Sequence, residues 1–176
     1  KSKEDGKTLK LDGSKDMKLL EVKINGRALA ADEYSLTEDS LTLANLPGDG
    51  FSLDIKTAIK PQENTQLEGL YKSGKGDKEK FCTQCEAEGF RNITYYLDRP
   101  DVLSKFTTTL IADKKKYPRL LSNGNPVKEG DLEGGKHFAT WEDPFPKPSY
   151  LFAAMAGDMD MMEDKFTTMS GREVTI

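Results

Sequence analysis

The sequence predicts an all-β protein: a saddle-shaped β-sandwich, a double antiparallel sheet with at most short helical turns. Three observations carry that expectation. Apolar residues recur with a period of two along most of the chain, the spacing of side chains on one face of a strand. Asn-Gly occurs at 25–26 and again at 123–124, a dipeptide suited to tight turns that need positive φ. Strand candidates follow one another at intervals of about ten residues, the rhythm of sandwiches and barrels rather than of βαβ units.

The elements follow in order. "LLEVKI" (19–24) alternates and runs into Asn25-Gly26, which predicts a hairpin. Residues 33–46 place Tyr34 and Leu36, then Leu41 and Leu43, on either side of a polar "TEDS" turn. "FSLDIKTAI" (51–59) alternates Phe51, Leu53 and Ile55 between Gly50 and Pro61. "KFTTTLIAD" (105–113) is β-branched and aromatic, which favours a strand. "LLSNGNPV" (120–127) carries the second Asn-Gly turn. Residues 136–143 and 149–157 read as strands, with "PFPKP" as the breaker between them, and the tail 164–176 offers one or two more. Helical signal is thin. Asp98 with Pro100 predicts a single helical turn near 98–106. In "MAGDMDMMED", Gly157 and the aspartate spacing break any apolar helical face.

Composition narrows the function classes. The chain has 176 residues, enough for one domain that buries roughly two-thirds of its unfolded surface. Apolar residues make up 36% and charged residues 32%, with a net charge of −4. Both signs are interspersed, which argues against a nucleic-acid surface. The basic run Lys114–Lys116 reads as a solvated strand end. No apolar run approaches the ~20 residues of a membrane-spanning helix. The start, "KSKEDGKTLKLDG", is charged throughout and is no signal peptide. A first residue of Lys predicts a chain processed or cut from something longer. Two cysteines make no disulfide framework, so a reducing compartment, the cytoplasm, is expected.

One stretch stands apart. Residues 81–90 read "FCTQCEAEGF", a Glu-rich segment between strong strands, where a site is expected. Zinc fits poorly: structural sites want four Cys or His ligands, and this chain has two cysteines and one histidine, His137. No metal ligand is assigned. A redox pair also fits poorly, because no helix follows the Cys-x-x-Cys to lower a thiol pKa. In an extended chain, Cys82 and Cys85 point to opposite faces, and Cys85 is expected to pack as a small buried residue. His137 sits in a strand pattern without a nucleophile elbow and reads as a solvent-edge histidine. Neither "GDLEGG" nor "SGKG" has phosphate-loop spacing. No catalytic residue is assigned.

If 82–88 is extended, Cys82, Gln84, Glu86 and Glu88 share one face, and Thr83, Cys85 and Ala87 the other. Gln84 and Glu86 then present an amide and a carboxylate about 7 Å apart along the strand. Such a pair accepts hydrogen bonds from a cation with several donors, such as an ammonium group. A solvated acidic edge strand is the other reading of the same face.

The segments "NTQLEGLYKSG", "FCTQCEAEGFRNITYYLDRPDVLSKFTT", "ADKKKYPRLLSNGN", "WEDPFPKPSYLFA" and "FTTMSGREV" together resemble the N-terminal domain of the bacterial aminopeptidase N family, zinc metallopeptidases of the gluzincin type. The likeness is dense from Asn64 onward and looser before it. It implies a β-rich saddle over a separate catalytic domain, in a broad-specificity enzyme that removes N-terminal residues from peptides. The family's zinc, on a His-Glu-x-x-His helix with a distant Glu, and its Gly-Ala-Met-Glu-Asn strand belong to the following domain and are not among these residues. The whole enzyme is thus expected to hold zinc, and this chain alone to bind none and to be inactive. The implied partners are peptides with a free N-terminus and, within the same protein, the catalytic domain; no nucleic acid and no membrane.

The resemblance also implies roles for single residues. It maps the family's substrate-lining stretch onto Thr83-Gln84-Cys85-Glu86. Glu86 is then the carboxylate that holds the substrate α-ammonium, and Gln84 lines the first side-chain pocket. Two departures stand out: "KGDKEK" lengthens the turn before the site, and Ser149 stands where relatives often carry Cys. The family's domain has further strands before Lys1 and beyond Ile176, so residues 1–176 are expected to be one N-terminal domain truncated at both ends, with sheet edges that the full protein pairs. The alternative is a free-standing β-sandwich module for protein interaction or ligand binding.

Overall fold

The computed structural model describes residues 7–48 and 50–176, Asp77 by its backbone alone. The first strands are β1 (Lys7–Asp12), β2 (Lys18–Ile24), β3 (Arg27–Ala28), β4 (Tyr34–Leu36), β5 (Ser40–Leu46) and β6 (Leu53–Ala58). The middle of the chain forms β7 (Gly69–Ser73), β8 (Lys80–Gln84) and β9 (Ser104–Asp113). Then come β10 (Arg119–Ser122), β11 (Asn125–Leu132), β12 (Lys136–Lys147), β13 (Ala154–Gly157), β14 (Lys165–Thr167) and β15 (Glu173–Thr175). The only helices among the described residues are single 3₁₀ turns, so the all-β expectation holds.

Every strand pairing is antiparallel, in the orders β1-β5-β4, β3-β2-β6, β10-β13-β8-β7, β11-β12-β9 and β14-β15. Asn25 and Gly26 close the β2–β3 hairpin with φ of 50° and 79°, the two left-handed positions a tight hairpin turn requires. The Asn25 side chain then accepts the Ser52 backbone N–H at 2.9 Å, tying the hairpin to the start of β6.

The period-two pattern of the first half buries one aliphatic core. Leu11, Met17, Val22, Leu41, Leu43, Leu46 and Tyr95 enclose one another, with Leu41 and Leu43 fully removed from solvent. Each such leucine contributes about 1.5–3 kcal/mol by burial.

The structure departs from the sequence reading in several places. The strands β1, β7 and β10 to β13 include residues that patterning missed or bounded differently. "KTLKLD" is a strand, paired with β5. The second Asn-Gly does not close a hairpin: β10 pairs with β13 and β11 with β12, so Asn123-Gly124 carries the chain between sheets. "PFPKP" does not end its strand. β12 runs to Lys147 through a register shift between Asp143 and Lys147, and a shift of that kind leaves no ladder bond for the two prolines to break. Residues 149–157 begin with a 3₁₀ turn, Ser149–Leu151, before β13. The helical turn expected near 98–106 is a plain turn, closed by the Val102 N–H on the Arg99 carbonyl at 3.2 Å, and β9 begins at Ser104.

The second half is held differently. Phe90 packs edge-to-face on Tyr96, Phe106 and Phe152 at centroid distances of 5.0, 5.9 and 5.1 Å. Lys147 caps this cluster, its Nζ 4.2 Å above the Phe106 ring and 2.9 Å from Asp143.

Candidate functional site

β8 lies inside its sheet, between β13 and β7, with Cys82 opposite Met155 on one side and Tyr71 on the other. Its last residue, Gln84, pairs with Gly69 at the start of β7. The chain then turns. The Gly89 N–H donates to the Cys85 carbonyl at 2.8 Å, and a 3₁₀ turn over Phe90–Asn92 follows.

Two glycines make the turn possible. A Cβ on Gly89 would lie 2.3 Å from the Gln84 carbonyl oxygen and 3.0 Å from the Gly69 nitrogen. Gly69 has φ of +72°, and a Cβ there would meet that of Asn92 at 2.7 Å. Backbone touches backbone here, and no other residue fits either position.

This corrects the strand reading of 82–88. Glu86 and Glu88 do not continue a face shared with Cys82 and Gln84, because the strand ends at Gln84 and 85–89 form a turn. The Glu86–Ala87 peptide is cis. Gln84 and Glu86 are nevertheless neighbours: the Gln84 Nε2 donates to the Glu86 carbonyl at 3.1 Å. Both side chains are exposed, and among the described residues no cation pairs with the Glu86 carboxylate.

Cys85, between them, points inward and is 3% exposed. Loss of solvent, with a smaller contribution from the nearby Asp98 carboxylate, pushes its thiol up to about 12. Such a thiol stays protonated and unreactive at neutral pH. Cys82 and Cys85 are both free thiols.

The floor of the turn is polar. The Asp98 side chain is 1% exposed. Its carboxylate accepts the Arg91 backbone N–H and the Arg91 Nε, both at 3.1 Å, and the Ser149 hydroxyl at 2.5 Å. The Arg91 guanidinium also donates to the Asp98 carbonyl at 3.0 Å and reaches Glu88, on the turn itself, at 3.3 Å. Asp12 of β1 accepts the Asp98 N–H at 3.1 Å.

His137 is not on a solvent edge. β12 is the middle strand of its sheet, and the half-buried imidazole has its Nε2 2.8 Å from the Tyr117 carbonyl. Among the described residues, no group of three or more His, Cys, Asp or Glu converges as a metal site. With one histidine engaged by a carbonyl and Cys85 sealed beneath the turn, the donor set among the described residues does not fit a catalytic zinc.

The structure thus brings Gln84 and Glu86 together by a turn rather than by a strand face. Sequence reasoning did not find Arg91, Asp98, Ser149, Gly69 or Gly89 as parts of the site. In sequence, Asp98 has the look of a helix start, and Ser149 that of a simple substitution.

The Peptidase M1 N-terminal domain family matches residues 5–151. Aminopeptidase N of Escherichia coli K12 is 57% identical over 168 residues, and that of Caulobacter vibrioides is 56% identical over 168 residues. Each match covers 96% of this chain, but the chain spans only 18% and 19% of those relatives' lengths. Among solved structures, Legionella pneumophila aminopeptidase A in complex with aspartic acid superposes with a TM-score of 0.87 at 39% identity, covering 99% of this chain and 20% of that one. An M1 zinc metallopeptidase from Deinococcus radiodurans shares the fold, with a TM-score of 0.77 at 16% identity over 99% of this chain and 40% of its own. The chain belongs to the Peptidase M1 N-terminal domain family.

Proposed function

We propose that this chain is the substrate-anchoring N-terminal domain of a broad-specificity zinc aminopeptidase. In this reading Glu86 pairs with the α-ammonium of a peptide's free N-terminus, and Gln84 lines the pocket for the first side chain. The observation that carries it is the state of Glu86: an exposed carboxylate, unpaired among the described residues, on a turn whose neighbours are buried and cross-linked. An idle surface carboxylate needs no such footing. A ligand-binding one does, because affinity gained by pairing is lost if the turn must first be ordered.

The likeness to the enzymes named Aminopeptidase N supports the substrate class. Zinc, which would activate the attacking water, belongs in this reading to a following catalytic domain. The residues of this chain bind and orient. Holding the α-ammonium places only the first peptide bond at the reacting centre, which makes the enzyme an exopeptidase by positioning. The chain alone is inactive in this reading. A reducing compartment, the cytoplasm, suits its two free thiols.

The test is steady-state kinetics of the full-length protein on an aminoacyl reporter with a free amine. A charge-assisted bond of roughly 1.5–3 kcal/mol predicts that Glu86→Gln lowers kcat/KM about ten- to a hundredfold, with zinc content unchanged. Gln84→Ala costs less, since a neutral amide bonds a cation more weakly. Wild-type kcat/KM in Glu86→Gln would sink the anchoring role.

A further inference from the structure

Asp98 is the most deeply buried charge in the described molecule, yet it lies within reach of the exposed turn through a single residue. It fixes the Arg91 backbone N–H, and therefore the exit of the turn, while its grip on the Arg91 side chain aims the guanidinium at Glu88. Ser149 donates to the other carboxylate oxygen, the one Arg91 leaves free. Burying such a group is costly, and an apolar replacement of similar volume is often as stable. The aromatic cluster around Phe90 already supplies apolar filling beside it. A charge network adds what the aromatic packing does not: directional contacts that allow one arrangement of the turn.

We infer that Asp98, acting through Arg91 and supported by Ser149, is a positioning residue that holds the Glu86 turn in the geometry that receives a substrate ammonium. The inference rests on the reading of Glu86 as the anchor. Asp98 touches no substrate. Its effect passes entirely through the placement of Glu86, so the two residues must be energetically coupled.

A double-mutant cycle in the full-length protein tests this, with L-alanine p-nitroanilide as substrate. Asp98→Asn keeps the shape and removes the charge. It is expected to raise KM about five- to twentyfold with kcat changed less than about twofold. In the Glu86→Gln background, the same change is expected to cost less than about twofold in kcat/KM, because the anchor it serves is gone. Ser149→Ala follows the same pattern with a smaller rise in KM, about two- to threefold, and it decides the question alone if Asp98→Asn does not fold. Equal losses in both backgrounds, or a lowered melting temperature with KM unchanged, would overturn the positioning role. These outcomes are separable from failure of the anchor itself, which shows as wild-type kinetics in Glu86→Gln alone.

Discussion

Beneath β5, Leu41 and Leu43 are sealed among Leu11, Met17, Val22, Leu46 and Tyr95. Beneath the Glu86 turn, a buried charge stands instead: the Asp98 carboxylate, in contact with Arg91 and Ser149. Both interiors are closed to water, but they constrain the chain differently. Aliphatic packing stabilises in proportion to buried area and tolerates small repacking. Hydrogen bonds to a buried charge are directional, and each fixes the orientation of a particular group. The first interior keeps the domain folded; the second dictates where one turn sits.

The largest effect that separates the two is expected from Leu41→Ala. Removing a fully buried leucine costs about 3–4 kcal/mol, read from urea unfolding of the chain. In the full-length protein, the same variant is expected to leave KM unchanged. Asp98→Asn should reverse that signature, with a smaller loss of about 2 kcal/mol in unfolding but a clear rise in KM. If both variants moved stability and KM in the same proportion, the distinction would collapse.

A pH titration sharpens the comparison next. The folded Cys85 thiol is pushed up to about 12, whereas an unfolded thiol titrates near 8.5. Below that lower value both states hold the proton and Cys85 contributes no pH dependence. Above it the unfolded chain loses its proton first, so stability falls by about 1.4 kcal/mol per pH unit until the folded thiol also ionises. Cys85→Ala should remove that part of the alkaline slope, measured as the difference between the two unfolding curves. In the native protein, a thiol reagent should label half-buried Cys82 well before Cys85. The smallest effect is expected at the β14–β15 hairpin, where Lys165 and Glu173 pair at 2.9 Å with both side chains largely exposed. Lys165→Ala should leave the unfolding midpoint unchanged within error.

How far the sequence could be read follows from the same contrast. Leu41, Leu43 and Val22 announce themselves by alternation, because burial on one face of a strand imposes a period of two. Asn25-Gly26 announces its hairpin through backbone sterics alone. Gln84 and Glu86 were found, but by a face argument that fails: their proximity comes from a turn that Gly89 permits and that periodicity cannot express. Prolines 144 and 146 misled for a related reason, since a register shift in β12 accommodates them. The Asp98 network was invisible because its members share no local pattern. Asp98, two residues before Pro100, looks like a helix start until Ser149 and Asp12 are brought to it by pairings made elsewhere.

That separation bears on how the site comes into being. Asp98 meets Asp12 across 86 residues of sequence and Ser149 across 51. A chain leaving the ribosome at ~5–20 residues per second therefore forms the β1–β5 contacts well before Ser149 exists to complete the floor of the turn. Closing contacts of such long range comes late in folding, after local hairpins have formed. The Glu86 turn therefore gains its floor only after Ser149 has been made. A peptide copied from residues 80–95 would carry the anchor without the support that aims it, so grafting this site onto another scaffold would require the floor to be transplanted as well.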